Sequence, residues 1–389
     1  MTTKEKPGDI DAWLQALGDP SADRDYKPGH ERVQKLIFAL EQLGHCFVKP
    51  KLRVRVAGTN GKGSTSHFLA AALQVNDCKV GLYTSPHILS FHERMRIDGK
   101  PISQAELLDL MALVMPLALE IGTSYFETAT VLALLYFSQQ QVDVEILEAG
   151  VGAKLDATTA VFADVGLLTP IGLDHQAWLG NTLEEITQEK YYVFQGCKIQ
   201  ISAPQGEVVM GVLSQYVGNL AYAQLFPEEL SVIGKHQKTN AGLAYAAVQM
   251  IAKQCLPMHL NKSKRAIGNL HIQGRMQCIQ HGKHTFYLDA AHNEHAVQAL
   301  LPTLSGMQPQ FDVIIVCTRE DRNLSDCLPW LEKMTDKIIG MTGDDTYQYP
   351  TIGEALTVET QAIKAGKFLI LGSFVTLGKV LAWMDKDEF

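Results

Sequence analysis

Short apolar runs alternate along the chain with segments in which apolar residues return every three or four positions. Val33, Leu36, Ile37 and Leu40 have the spacing of one helical face. Four later runs have strand character: Val54–Ala57, Val80–Tyr83, Val142–Leu147 and Val161–Leu168. Helical patterns separate them, among them one over residues 128–138. This order predicts βαβ units and a parallel sheet.

A second alternating block follows the polar stretch His271–Gln277. Its strand-like runs are Thr285–Leu288, Val313–Val316, Ile338–Met341 and Phe368–Leu371. We therefore place a domain boundary near residues 270–283. The length of 389 residues agrees with two or three domains at about 150 residues each.

Composition and charge exclude several classes of protein. With 46% hydrophobic and 20% charged residues, the chain can bury a core without disulfides. A net charge of −8 argues against broad binding to nucleic acid or acidic membranes. The seven cysteines form no CxxC pair, and the N-terminus shows no secretory pattern. We therefore expect a cytoplasmic protein, in which small anions could still bind at local sites.

A glycine-rich segment, AGTNGKGST at residues 57–65, follows one predicted strand and opens a helix. In that context backbone N–H groups can approach a phosphate, and Lys62 would neutralise its charge. The glycine spacing differs from the strict Walker A motif. A flexible turn without a ligand is the alternative interpretation.

Polar side chains follow three strands of the predicted sheet. Ser85 follows the run at 80–84, Glu148 ends the run at 142–147, and Asp174 and His175 come shortly after the run at 161–168. Because open parallel sheets bind ligands beyond the carboxyl ends of their strands, we expect these groups beside the glycine-rich loop. Together they could hold Mg²⁺ against a triphosphate, although histidine is an unusual ligand for so hard a cation. Each residue alone is more often structural.

Lys190 lies in the middle of an apolar helical face. Thr182 and Glu185 have the spacing of a capping box at the start of this helix. An unpaired ammonium among apolar side chains would be costly. Two interpretations stay open: the side chain reaches back to water, or it points into the site, unmodified or converted to a metal-binding group.

The second block offers fewer signals. The run Thr285–Leu288 leads into DAAHN at residues 289–293, and Arg275 lies upstream. A guanidinium can hold phosphate or carboxylate oxygens with two parallel bonds. Arg275 alone could also be a solvated linker residue, and nothing near His292 in the sequence supplies a nucleophile and a triad partner.

Taken together, these segments resemble the dihydrofolate synthase/folylpolyglutamate synthase family of the Mur ligase superfamily. The resemblance covers nearly the whole chain. In the family's order, the matching segments are AGTNGKGST at Ala57, YTSPHILSFHERMRIDG at Tyr83, YFETAT at Tyr125, ILEAGVGAKLDAT at Ile146, LDHQAWLG at Leu173, EK at Glu189, QGR at Gln273, DAAHNEHA at Asp289 and LGSF at Leu371.

The resemblance implies an α/β fold in three parts. These are an N-terminal P-loop domain over residues 1–270 with a mainly parallel sheet flanked by helices, a linker or hinge over 271–282, and a smaller Rossmann-like domain of the glutamate-ligase type over 283–389. ATP and substrates would meet in the cleft between the domains.

The implied activity is an ATP-dependent ligase. It would join L-glutamate to 7,8-dihydropteroate and extend reduced folates with further glutamates, through an acyl phosphate, and we expect a monomer. One folate activity alone, a Mur-type peptidoglycan ligase and a noncatalytic nucleotide-binding protein are the alternatives. YFETAT and LDAT favour the folate branch, and the intact candidate residues Lys62, Glu148, His175 and Lys190 favour catalysis.

Site residues follow from the resemblance by position. Ser85, Glu148 and His175 would bind one Mg²⁺, and Lys190, once carboxylated by CO₂, would help to bind a second. The ATP-binding set would be Asn60, Gly61, Lys62, Gly63, Ser64, Asn240, Arg275, Asp289, His292 and Asn293. The pteroate-binding set would be Tyr26, Lys27, Pro28, Tyr125, Phe126, Glu127, Leu155, Asp156 and Ala157. Catalytic roles would fall to Lys62, His175, Lys190 and Arg275.

Three segments depart from the family's pattern. QGR stands where PGR is usual, Glu294 replaces a common proline, and VCTREDRN at Val316 differs from a G-x-x-x-DKD pattern. The first two would alter linker geometry more than chemistry. The third concerns domain closure and the amino-acid end of the site.

Overall fold

The computed structural model describes residues 29–307, 310–318, 324–342 and 349–386, together with Ile10, Trp13 and Leu17. The chain forms two compact units. The first runs to Pro227 and includes Thr239–Ile267, and the second consists of Glu228–Lys238 and the chain from Gly268 onward. Helices and strands are numbered below in chain order over the described residues.

The first unit is built on an eight-stranded sheet. Its strands are β1 (Leu52–Ala57), β2 (Val80–Tyr83), β3 (Met95–Ile97), β4 (Lys100–Pro101), β5 (Val144–Glu148), β6 (Val165–Leu168), β7 (Ile199–Ser202) and β8 (Ala221–Tyr222). The spatial order is β4-β3-β2-β5-β1-β6-β7-β8. Neighbours from β2 to β8 run parallel, whereas β2 with β3 and β3 with β4 run antiparallel.

Most of the described helices around this sheet lie in the chain between its strands, one precedes β1 and two follow β8. They are α1 (His30–Gln42), α2 (Lys62–Gln74), α3 (Gln104–Ile121), α4 (Tyr125–Gln139), α5 (Gln176–Leu179), α6 (Leu183–Lys190), α7 (Glu207–Tyr216), α8 (Gln237–Gln254) and α9 (Leu260–Gly268). Capping boxes start α3, at Ser103 and Glu106, and α4, at Ser124 and Glu127. Strands β5 and β6 are buried along their whole length, as expected for the centre of a parallel sheet.

The second unit carries a five-stranded sheet. Its strands are β9 (Gln277–His281), β10 (His284–Asp289), β11 (Val313–Thr318), β12 (Ile338–Thr342) and β13 (Lys367–Leu371), in the order β12-β11-β13-β10-β9. Only the pair β9 and β10 among these described strands is antiparallel. The accompanying helices are α10 (Glu294–Leu304), α11 (Leu328–Leu331), α12 (Ile352–Ala362) and α13 (Phe374–Lys386).

The α/β fold class with a mainly parallel first sheet is confirmed. Two predicted strands begin later than the sequence suggested, β5 at Val144 and β6 at Val165. The aspartate just before each strand instead accepts hydrogen bonds from a neighbouring backbone: Asp143 from the N–H of Lys79 and Asp164 from the N–H of Arg53, both at 2.9 Å. In the described residues, no helix combines the length and apolar character needed to cross a membrane.

Candidate active site

The glycine-rich segment forms the turn between β1 and α2. Gly58 and Gly61 have φ angles of 143° and 88°, in a region that glycine enters far more readily than other residues. A Cβ on Gly58 would lie 1.9 Å from Oγ1 of Thr169, so the loop passes directly against the end of β6. The N–H of Thr59 donates to the carbonyl of Pro170 at 3.0 Å, and the N–H of Asn60 donates to the same oxygen at 3.4 Å. The loop is therefore held at the carboxyl edge of the sheet.

The first turn of α2 has the features of an anion site. Gly61 is the N-cap, and no side chain caps the helix, so its first N–H groups and the positive end of its dipole face outward. Gly63 lies in this turn, and its carbonyl accepts a hydrogen bond from Nδ1 of His67 at 2.8 Å. The Ser64 hydroxyl is buried, and its oxygen has no hydrogen-bond partner. Such a group is costly unless a ligand satisfies it, which fits a phosphate or a phosphate-bound cation.

Two lysines meet at one carbonyl of this loop. Nζ of Lys190 donates to the carbonyl of Gly58 at 2.8 Å, and Nζ of Lys62 donates to the same oxygen at 3.2 Å and to that of Thr59 at 3.1 Å. The side chain of Lys190 thus turns inward, with the residue 2% exposed. Burial, and after it the charge of Lys62, lowers the pKa of Lys190 to about 7, and the charges of Asp174 and Asp156 oppose this shift. A substantial part of the Lys190 amine is therefore neutral near pH 7.

The three predicted magnesium ligands come from strands that end at this same edge. Strands β2, β5, β1 and β6 are parallel neighbours in that order. The buried carboxylate of Glu148, at the end of β5, accepts a hydrogen bond of 3.0 Å from the N–H of Ser85, just after β2. His175 follows β6 and is the N-cap of α5, with φ of 53° in the left-handed region that few residues other than glycine adopt.

The donors at this edge suit a magnesium ion bound together with phosphate. No group of three or more His, Cys, Asp and Glu side chains within the described ranges could by itself hold a metal ion. Mg²⁺ needs no such group, because it takes few protein ligands and fills its octahedron with phosphate oxygens and water. The Ser85–Glu148 pair and the unpartnered Ser64 oxygen supply hydroxyl and carboxylate oxygens of the preferred type.

Asn240, far along the chain on α8, also reaches the glycine-rich loop. Its carbonyl accepts a hydrogen bond from Oγ1 of Thr65 at 3.4 Å. A Cβ on Gly61 would lie 2.1 Å from Oδ1 of Asn240. The structure therefore brings this predicted ATP-binding residue against the turn that starts α2.

The predicted pteroate residues gather around the start of α4. The ring centres of Phe126 and Tyr83 are 5.9 Å apart. A Cβ on Gly150 would lie 2.8 Å from Cζ of Phe126, so the Phe126 ring packs directly against this glycine. Tyr125 meets Phe91 edge to face at 6.0 Å. Ala157 is buried, whereas Leu155 is exposed. Tyr26, Lys27 and Pro28 lie outside the described residues.

Two acidic members of this set are engaged by the protein itself. Glu127 accepts two hydrogen bonds from Arg32, at 3.0 and 2.9 Å, and one from the N–H of Ser124 at 2.7 Å. Asp156 accepts hydrogen bonds from the N–H groups of Gly150 and Val151 and from both the N–H and the hydroxyl of Thr158. Burial raises the pKa of Asp156, and these donors oppose the rise. Both carboxylates therefore shape the loops around the site.

In the second unit, Asp289 ends β10 and organises the backbone around it. Its carboxylate accepts from the N–H of Met276 at 2.8 Å and from the N–H of Ala291 at 2.9 Å. Burial raises the pKa of Asp289, and the nearby Arg275 is the first of the influences that oppose the rise. The guanidinium of Arg275 lies 4.8 Å from the centre of the Phe374 ring.

His292 and Asn293 lie in the turn between β10 and α10. Nδ1 of His292 is 2.8 Å from the carbonyl of Ala290, and Oδ1 of Asn293 caps α10 by accepting from the N–H of Ala296 at 2.8 Å. The resemblance assigned ATP to these two residues and to Arg275 and Asp289. For all four, that assignment stays a prediction.

Two residues that shape the site were not predicted from the sequence. Thr169 closes the space beside Gly58, and its short hydroxyl side chain gave no signal at the end of an apolar run. Arg94 is buried beside Tyr125. A buried arginine within a polar segment could have been found only from the fold.

Comparison with known proteins defines the class. Residues 56–203 match the Mur ligase middle domain, and residues 274–370 match the Mur ligase, glutamate ligase domain. The dihydrofolate synthase/folylpolyglutamate synthase of Bacillus subtilis is 33% identical over 319 residues, 72% of each chain. The Escherichia coli protein of the same name is 29% identical over 420 residues, 98% of this chain and 97% of that one. E. coli FolC in complex with DHPP and ADP has a TM-score of 0.84 and 26% identity over the whole of both chains.

The matching domains and the fold are thus those of a Mur-type ligase. Within that class, this chain belongs to the dihydrofolate synthase/folylpolyglutamate synthase family, as its motifs predicted.

Proposed function

We propose that this protein uses ATP to join L-glutamate to 7,8-dihydropteroate and to extend reduced folates with further glutamates. The observation that carries the proposal is the meeting of Lys62 and Lys190 at the carbonyl of Gly58, inside a phosphate-type loop. The names of its relatives and the ADP bound in FolC support it. We expect a cytoplasmic enzyme that acts as a monomer on small molecules.

ATP binds with its phosphates on the glycine-rich loop. The uncapped N–H groups of α2 and the residues from Asn60 to Ser64 face the phosphate oxygens. Nζ of Lys62 donates to the carbonyls of Gly58 and Thr59 in its own loop. A bound γ-phosphate offers it a stronger, charge-assisted partner. Asn240 stands against the same turn and limits where the nucleotide lies.

Ser85, Glu148 and His175 would hold one Mg²⁺, and a carboxylated Lys190 would contribute to a second. The ions would neutralise charge on the transferring phosphoryl group. Carboxylation joins the neutral amine of Lys190 to the carbon of CO₂, with release of one proton. The lowered pKa of Lys190 supports this step, because only the unprotonated amine is a nucleophile.

The chemistry makes an unreactive acid reactive. An oxygen of the acceptor carboxylate attacks the γ-phosphorus of ATP, ADP leaves, and an acyl phosphate forms. The amine of L-glutamate attacks the acyl carbon, and the C–O bond to phosphate breaks as the amide forms and a proton is lost. The chain's part is to position the reactants and to stabilise charge, in which Lys62 and Arg275 take part.

The acceptor occupies the aromatic cluster around the start of α4. Tyr125 and Phe126 offer flat apolar surface to the pterin ring, and the loop that carries Leu155, Asp156 and Ala157 borders it. Because Asp156 and Glu127 are saturated by internal hydrogen bonds, their contribution is the shape of these walls.

A coupled assay tests the proposal. Purified protein is given ATP, Mg²⁺, L-glutamate and dihydropteroate, and ADP release is measured with each component omitted in turn. Release only in the complete mixture is expected, and so is release when tetrahydrofolate replaces dihydropteroate. The variant Glu148→Gln keeps the shape of the site and should lose turnover. ADP release with a UDP-muramyl acceptor in place of both folates would overturn the proposal, as would nucleotide binding with no turnover on any acceptor.

A further inference from the structure

A buried arginine stands in the acceptor region without a counter-ion. Arg94 is 8% exposed. Its backbone carbonyl accepts from the N–H of Thr84 at 3.0 Å, which places it one residue from Ser85 at the carboxyl edge of the sheet. Its Nε donates to Nδ1 of His87 at 3.0 Å. No carboxylate lies within ion-pair distance of it in the described part of the chain.

The environment of Arg94 offsets its charge only in part. The guanidinium carbon lies 5.3 Å from the centre of the Tyr125 ring and 5.7 Å from that of Phe91. Aromatic faces attract a cation, but less than a carboxylate does in a desolvated site. The two terminal nitrogens, Nη1 and Nη2, have no hydrogen-bond partner among the described residues. Both nitrogens keep some exposed surface, since neither is among the fully buried side-chain atoms that lack a hydrogen-bond partner.

The acidic residues nearby are already committed to other partners. Glu93 accepts from the backbone N–H groups of Ile88, Leu89 and Ser90. Glu127 and Asp156 are saturated, as described above. Among these charged groups, the guanidinium of Arg94 is therefore the one with unused hydrogen-bonding capacity. It is a cation and can only donate hydrogen bonds. A guanidinium fork whose Nη1–Nη2 edge is unused matches a carboxylate better than any other common group, because the two nitrogens can donate two parallel hydrogen bonds.

We propose that Arg94 binds the carboxylate of the acceptor substrate through Nη1 and Nη2 and so selects acceptors that carry an acid group. The inference rests on the proposed function, in which every acceptor is a carboxylic acid. Arg94 joins the Tyr125 end of the acceptor site to the Ser85 edge where that acid reacts. Its stacking on Tyr125 and Phe91 holds the fork in one plane before the substrate arrives.

Binding measurements on two ligands test the assignment. One is dihydropteroate, and the other is the analogue in which a phenyl group replaces the benzoate and the carboxylate is missing. Hydrogen bonds to a charged group of this kind correspond to roughly a 10- to 100-fold preference for the acid in the wild type. Arg94→Gln should lose that preference and bind the analogue as the wild type does. Arg94→Lys, which keeps the charge but not the fork, should lose about tenfold.

Matched variants separate recognition from structure. Arg96→Gln removes another arginine two residues along, whose Nε donates to the carbonyl of Glu93, and should keep the full preference. His87→Ala removes the Nε partner and should keep it too. A preference that survives in Arg94→Gln and Arg94→Lys would overturn the assignment, and so would equal weakening for both ligands. If the wild type itself shows no glutamate-dependent ADP release, it is the proposed function that fails.

Discussion

Replacing Lys190 by methionine should stabilise the protein while abolishing its activity. Lys190 is 2% exposed, and burial lowers its pKa from 10.5 to about 7. A shift of that size corresponds to on the order of 5 kcal/mol of folding free energy lost when the amine is protonated. Methionine fills a similar volume without the charge. Gly58 keeps a donor, because Lys62 also bonds to its carbonyl at 3.2 Å.

The pH dependence follows from the direction of the shift. Between the folded pKa of about 7 and the unfolded value of 10.5, the unfolded state binds more protons, so the stability of the wild type rises with pH across this window. The cost of burying a protonated Lys190 is fully present below pH 7, and it is absent above the unfolded-state pKa of 10.5. The gain from Lys190→Met should therefore be largest near pH 6 and should vanish by about pH 10.

Thermal unfolding measures this difference. After about 1 kcal/mol is subtracted for the lost hydrogen bond, a gain in unfolding free energy of up to about 4 kcal/mol remains. At about 2–4 °C per kcal/mol for a unit of this size, Tm should rise by up to about 15 °C at pH 6. Melts are compared at pH 6 and pH 10 in buffers free of CO₂, nucleotide and divalent ions. Lys62→Met, at a partly exposed lysine on the same carbonyl, is the control and should gain much less. A Lys190→Met variant that is less stable than the wild type at pH 6, or that gains equally at both pH values, would refute the reasoning.

Three further substitutions probe the two units. Gly58→Ala would force a Cβ to 1.9 Å from Thr169, so ADP affinity measured by calorimetry should collapse, and an unchanged affinity would contradict the loop geometry. Ser64→Ala removes a buried hydroxyl that has no partner. Its unfolding free energy should stay within about 0.5 kcal/mol of the wild type while turnover falls, whereas a large loss of stability would mean that the hydroxyl is satisfied without a ligand. Asp289→Asn leaves the N–H of either Met276 or Ala291 without an acceptor. It should cost the second unit about 1–3 kcal/mol in denaturant unfolding, and no change would argue against this anchoring role.

Much of the fold could be predicted because the central strands are continuous apolar runs. Strands β1, β2 and β6 lie within or close to the runs that the pattern marked. The antiparallel strands β3, β4 and β9 were missed. Strands β3 and β4 are three and two residues long, and β9 alternates half-buried with exposed positions, so none of them carries the apolar signal of a central strand.

The site was predictable to the extent that parallel strands share an edge. That rule placed Ser85 and Glu148 together, and the structure joins them by a hydrogen bond. Lys190 was recognised as unusual from helical periodicity, but its partner, the carbonyl of Gly58, belongs to a loop remote in sequence. Arg94 depends wholly on tertiary packing, since its aromatic neighbours come from separate elements.

Transfer of oxygen from the acceptor to phosphate tests the central claim most directly. Dihydropteroate labelled with ¹⁸O in both carboxylate oxygens is incubated with the protein, ATP, Mg²⁺ and L-glutamate, and the inorganic phosphate is analysed by mass spectrometry. We expect one ¹⁸O atom in each phosphate released and one left in the new amide. Amide product accompanied by unlabelled phosphate would contradict it.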